Sequence, residues 1–203
     1  MGKLIVIVGP SGVGKTTLAR ALAQAYPFQT AFEQHLERLF QSLFKQDKRY
    51  ALANQIDYLL YRAEQERALR ASPEVGLVDG GLDLDFHGFT RLFHARGWLT
   101  DLEFDLCRRL YELMRGTGRE DPAPTFLPPP ELVVVLSAAE GTVRQRLAQR
   151  DRINIASSED ARLMSQFVEE WLATLPAEMV LRRDVSEEGM DYARSVEAVL
   201  KRL

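Results

Sequence analysis

Gly9, Ser11, Gly12, Val13, Gly14, Lys15, Thr16 and Thr17 have the types and spacing to hold a polyphosphate. In the pattern G-x-x-x-x-G-K-T, the glycines let backbone N–H groups converge on β- and γ-phosphates. Lys15 adds a mobile positive charge, and the Thr16 hydroxyl can ligate Mg²⁺. Two carboxylates further along could complete a phosphoryl-transfer site. Asp79 follows the apolar stretch Val75–Val78 and could hold Mg²⁺ together with Thr16, or could instead be a helix N-cap or turn residue. Glu33 follows the alternating stretch Phe28–Phe32 and could take the proton of an acceptor hydroxyl, or could be a surface residue at a strand end. A third group is arginine: Arg146 and Arg150 fall on one helical face and Arg152 just beyond it. There they could deliver guanidinium groups over phosphates from a movable lid, or form a solvated basic helix end.

The elements that must position these groups alternate between strand and helix. Lys3–Val8 is an unbroken apolar run suited to a strand covered on both faces, and Leu18–Ala23 is a good helix former. The helix after the glycine loop starts with its positive dipole end facing the phosphates. Strands are expected at 28–32, 75–79, 132–136 and 179–181. Helices are expected over 34–46, 49–71, two between 85 and 115 split near Gly97–Thr100, one from Ser137 or Glu140, one over 158–175 and one over 189–203. Thr100 and Glu103 have the spacing of a capping box. Crossover-length connections predict a doubly wound parallel sheet with right-handed connections, and the carboxyl ends of its strands are where ligands sit.

Composition restricts the function classes. The chain has 203 residues, 46% of them hydrophobic, with 26 basic and 29 acidic side chains for a formal charge of -3. One core and a single domain over 1–203 are expected, with the lid at about 144–156. The sequence pI near 5.7 argues against a nucleic-acid binder, because neutralising phosphates needs surplus Lys and Arg. Cys107 stands alone, so neither a disulfide framework nor a cysteine metal site is expected. His35, His87 and His94 lack metal-ligand spacing and are expected at the surface or in packing. No stretch is long enough to span a bilayer, and a soluble cytoplasmic protein with no membrane partner is expected.

Beyond these features, the chain resembles the deoxynucleoside kinases over nearly its whole length, particularly the short bacterial deoxyadenosine/deoxyguanosine kinase type. The resemblance rests on the glycine loop, on Tyr50 to Arg62 with its aromatic-x-x-x-x-Gln…Arg spacing, on Asp79-Gly80-Gly81-Leu82-Asp83-Leu84-Asp85, and on Arg146, Arg150 and Arg152. It implies a three-layer P-loop NTPase fold of the thymidylate-kinase-like type: α/β, with a five-stranded parallel sheet flanked by helices and an arginine lid. It further implies ATP and Mg²⁺ as cofactors and phosphorylation of the 5′-hydroxyl of a (deoxy)nucleoside, with a purine deoxynucleoside expected. By the same resemblance Glu33 is the base, Gln55 pairs with the nucleobase edge, Arg62 and Asp85 form a pair near it, and Thr16 and Asp79 hold the metal. Lys15, Arg150 and Arg152 join Glu33 in catalysis, and Arg146 contacts ATP. A homodimer built on helices after the second and third strands is implied as well.

Three positions depart from the family pattern, all on the acceptor side. Gly80 replaces the arginine that contacts the base glutamate and the 5′-oxygen. Phe44 replaces the tyrosine that holds the sugar 3′-hydroxyl, and Ile153-Asn154-Ile155 stands where a post-lid glutamate is expected. Kinases acting on a nucleoside monophosphate or another small alcohol, and a nucleotide-binding regulatory protein without acceptor chemistry, are the alternatives.

Overall fold

The computed structural model describes residues 2–31, 38–116, 126–148, 158–189 and 191–203. Its strands are β1 (Leu4–Val8), β2 (Gln29–Ala31), β3 (Gly76–Asp79), β4 (Leu132–Ser137) and β5 (Val180–Asp184). Its principal helices are α1 (Lys15–Ala25), α2 (Leu39–Gln46), α3 (Ala51–Ala71), α4 (Gly81–Leu84), α5 (Arg91–Ala95), α6 (Asp101–Arg115), α7 (Glu140–Ala148), α8 (Ser158–Leu172) and α9 (Ala193–Leu200). A π-helical stretch, Asp85–Thr90, joins α4 to α5.

The strands form a parallel sheet in the order β2-β3-β1-β4-β5. The uninterrupted apolar character of β1 follows from its central place, since a strand flanked on both faces has no polar side to show. Ile5 and Ile7 face Leu18, Leu22 and Val199, from α1 and α9. Leu4, Val6 and Val8 face Leu69, Leu84, Trp171 and Leu172, from α3, α4 and α8. The chain leaves β1 toward β3 and β2 on one side and returns to β4 and β5 on the other. The loops after β1 and β3 therefore open together at the carboxyl edge, where ligand sites form in such sheets.

Several local outcomes refine the sequence expectations. The helix expected from residue 85 begins at Gly81, where the backbone N–H of Leu82 donates to the buried Glu66 carboxylate at 3.0 Å. That carboxylate does the work of an N-cap side chain. The last strand runs to Asp184 rather than stopping at 181. It is an edge strand, so its alternate side chains meet solvent, and Arg182 pairs with Glu169. The terminal helix starts at Ala193, because Tyr192 adopts a left-handed backbone (φ 51) that no α-helix can include. The capping box is present: Thr100 accepts from the Glu103 N–H while Glu103 accepts from that of Thr100. Cys107 is buried, and burial pushes its thiol up to about 11. His94 bonds Asp101 and stacks on Phe104. No helix among the described residues is long and apolar enough to cross a membrane.

Candidate active site

The glycine loop bends from β1 into α1, and its last glycine is fixed by geometry. Gly14 has φ 113, and a Cβ there would collide with the hydroxyl of Tyr192. Only glycine meets both conditions. Tyr192 is 2% exposed and was not foreseen, since nothing in its sequence surroundings points to the loop. Arg146 comes to the same place: its Nη1 donates to the Val13 carbonyl at 2.6 Å and its Nη2 to the Val185 carbonyl at 3.2 Å. The Lys15 ammonium donates to the carbonyls of Gly9 (2.9 Å) and Pro10 (3.1 Å). Two cations and the N-terminus of α1 thus converge on one loop, an arrangement suited to a polyanion.

Beside the loop, β3 delivers Asp79, its side chain buried. The Thr16 hydroxyl donates to Asp79 Oδ2 at 2.5 Å. These are two oxygen donors of the kind a hard divalent cation takes, and Mg²⁺ is commonly held by one or two protein oxygens together with substrate phosphates and waters. The residues therefore fit Mg²⁺, although no cluster of three or more His, Cys, Asp or Glu occurs among the described residues.

Immediately after Asp79, Gly80 has φ 95 and ψ -85, a conformation that side-chain-bearing L-residues rarely adopt. A Cβ there would lie 3.5 Å from Arg62 Nη2. Space is available, so the backbone dihedrals are what disfavour an arginine at this position. The guanidinium of Arg62, reaching over from α3, runs alongside. Arg62 Nε donates to Asp85 Oδ2 at 2.7 Å, with side-chain exposures of 5% and 7%, and Arg62 Nη1 donates to Gln65 at 3.0 Å. Gln55, about two turns earlier on α3, is buried, and its Oε1 accepts from the Thr90 hydroxyl at 2.9 Å. Gln55, Arg62 and Asp85 thus lie on two packed elements, α3 and the π-helical stretch. Arg38 pairs with Asp57 and covers the Tyr61 ring, tying the chain that follows residues 32–37 to α3.

Phe44 lies in an aromatic cluster, stacked on Phe93 (4.6 Å) and edge-on to Trp98 (5.4 Å), and is 4% exposed. So buried a ring offers a ligand little surface. Glu33, Arg150, Arg152, His35 and Ile153-Asn154-Ile155 lie outside the described residues.

A buried ionic cluster supports this corner, and no local sequence pattern announces it. Arg115, from α6, binds Asp83 at 2.6 Å and Glu66 at 2.8 Å, and Tyr111 donates to Asp83 at 2.7 Å. Burial alone would lower the Arg115 pKa, but the two carboxylates outweigh it and hold the guanidinium charged. Because Glu66 also receives the Leu82 N–H, the cluster fixes the turn that carries Asp79 and Gly80 into α4. His87 adjoins it, 3.1 Å from the Tyr111 hydroxyl and stacked on Trp171; burial pushes its imidazole down to about 4.

A parallel sheet with a lysine-bearing glycine loop after its central strand, an acid at the next strand exit and oxygen donors suited to Mg²⁺ defines a P-loop nucleotide-binding protein. The model of the deoxynucleoside kinase family matches residues 5–203, and the chain belongs to that family. Deoxyadenosine kinase of Dictyostelium discoideum is 27% identical over 152 residues, 74% of this chain and 58% of that protein. Deoxyadenosine/deoxycytidine kinase of Bacillus subtilis (strain 168) is 23% identical over 150 residues, 73% of this chain and 66% of that protein. The match thus spans less than two thirds of the length of either curated relative. Among solved structures, deoxyadenosine kinase from M. mycoides superposes with a TM-score of 0.76 at 17% identity, covering 98% of this chain and 97% of that one. The form of that kinase with bound dATP gives 0.75 at 17% identity, covering 97% of each chain.

Proposed function

We propose that this protein transfers the γ-phosphoryl group of ATP, with Mg²⁺, to the 5′-hydroxyl of a deoxynucleoside, with a purine deoxynucleoside as the preferred acceptor. The observation that carries the reading is the meeting of the glycine loop with Asp79, through Thr16 at 2.5 Å, on the edge where the Arg62–Asp85 pair also stands. Family membership and the deoxyadenosine kinases among the relatives support the acceptor class.

In this reading, Lys15 and the amides of Gly9, Ser11, Gly12, Val13, Gly14 and Thr17 bind the phosphates. Thr16 and Asp79 would hold Mg²⁺, which supplies neutralisation of charge on the β- and γ-phosphates. The Glu33 carboxylate takes the acceptor proton as the 5′-oxygen bonds to the γ-phosphorus, and the bond from that phosphorus to the ADP oxygen breaks. Arg146, Arg150 and Arg152 stabilise charge on the transferring group. Gln55, Arg62 and Asp85 read the base through planar hydrogen-bonding edges. Arg62, lying against Gly80, brings a cation to the strand exit from which the family's arginine is missing. Phe44 contributes apolar packing behind the acceptor.

A homodimer in the cytoplasm is part of the proposal. Leu102, Leu106 and Leu113 lie exposed along one stripe of α6, and Leu60 is exposed on α3, which packs against α6. An apolar stripe on two adjoining helices is the type of surface a second copy covers.

A panel of nucleosides, deoxynucleosides and monophosphates with γ-labelled ATP tests the reading. Label on a deoxynucleoside supports it. Label on a monophosphate's phosphate would make the protein a nucleotide kinase instead, and ATP binding without transfer would leave a nucleotide-binding regulator, for which the losses at Gly80 and Phe44 speak.

A further inference from the structure

Gln55 and Asp85 are assigned to the base, yet an amide can present either a donor or an acceptor, and it reads a base only if one end is held. The residue placed to hold it is Thr90, the last of the π-helical stretch and 0% exposed. Its hydroxyl stands 2.9 Å from Gln55 Oε1 and 3.1 Å from the backbone carbonyl of Asp85. One side chain thus touches both base-reading residues from behind. A π turn widens the helix to an i→i+5 spacing, and Thr90 sits five residues after Asp85, where its hydroxyl reaches back to the Asp85 carbonyl.

We propose that Thr90 is a specificity-determining positioning residue that sets the direction of the Gln55 amide. This inference rests on the base-reading role proposed for Gln55. The hydroxyl has one hydrogen and two oxygens before it. The nearer is Gln55 Oε1, and an Oε1 held there turns the Nε2 hydrogens away from Thr90, toward the base. With this hydroxyl absent, Oε1 loses a buried partner and the amide is free to turn, so donor and acceptor edges on the base are no longer told apart.

Deoxyadenosine and deoxyinosine provide the comparison, since they differ only at N1 and the 6-substituent. In the unaltered protein their kcat/KM values should differ clearly. Thr90→Val, which keeps shape and removes the hydroxyl, should move the ratio about tenfold toward one, with KM for ATP unchanged; tenfold corresponds to about 1.4 kcal/mol, the scale of one hydrogen bond. Thr90→Ser should restore the ratio. If Thr90→Val does not fold, Thr90→Cys, with its weak S–H donor, gives the same comparison. A drop of kcat/KM for both acceptors at constant ratio, or a ratio near one in the unaltered protein, overturns the proposal. Gln55→Glu separates it from the reading beneath. Should Gln55→Glu shift the ratio while Thr90→Val leaves it, the Thr90 role alone falls. An unshifted ratio in Gln55→Glu, or no transfer to either acceptor by the unaltered protein, removes both.

Discussion

Replacing Arg115 by Met should expose how firmly the acceptor corner depends on its buried ion cluster. The Arg115 side chain is 2% exposed and sits between those of Glu66 (0%) and Asp83 (4%), with nitrogen–oxygen distances of 2.8 Å to Glu66 and 2.6 Å to Asp83. Methionine fills much of the volume and removes the charge, leaving two carboxylates close together in a dry site. Breaking a buried pair from one side costs about 3–5 kcal/mol. For a chain of this length that corresponds to a fall in Tm of about 6–20 °C. Urea unfolding of both proteins at pH 7 measures this. A deficit below about 1 kcal/mol, within the range of exposed pairs, would refute the reasoning.

Other outcomes follow from the same geometry. Gly14→Ala should abolish ATP binding, measured by calorimetry, because φ 113 and the Tyr192 hydroxyl both oppose a Cβ. Gly80→Arg should fail to raise activity and should lower Tm, since the strain at φ 95 outweighs the added cation; recovered turnover without loss of stability would contradict this. His87 is held at about 4 against an ordinary 6.5. The unfolded chain therefore binds a proton that the folded one does not, and stability falls as pH drops from 6.5 to 4, by about 2–3 kcal/mol from this group alone. His87→Gln should lose correspondingly less over that window in urea titrations.

How much of this was legible in the sequence depended on whether the signal was local. The glycine loop, β1 and the order of elements were readable because each rests on contiguous residues: Leu4–Val8 announces a strand buried on both faces, and Thr100 with Glu103 announces a cap. The Arg62–Asp85 pair, from the resemblance, is met at 2.7 Å. Features built by residues distant in the chain left no such trace. Tyr192 reaches Gly14 from the far end of the chain, Arg115 finds Glu66 and Asp83 only once α3, α4 and α6 pack, and the π turn ending at Thr90 has no composition of its own. Phe44, which by the resemblance stands where the family's sugar-holding tyrosine falls, packs with Phe93 and Trp98, a contact between helices that its local sequence does not announce. The Gly80 departure gains a physical account in the structure: a backbone hostile to side chains, with the guanidinium of Arg62 beside it.

The central claim is transfer to a 5′-hydroxyl, and paired acceptors test it directly. With γ-labelled ATP and Mg²⁺, 2′-deoxyadenosine should become labelled, and 2′,5′-dideoxyadenosine, which lacks only that hydroxyl, should not. Equal labelling of the two, or release of ADP with label on neither, would contradict the account.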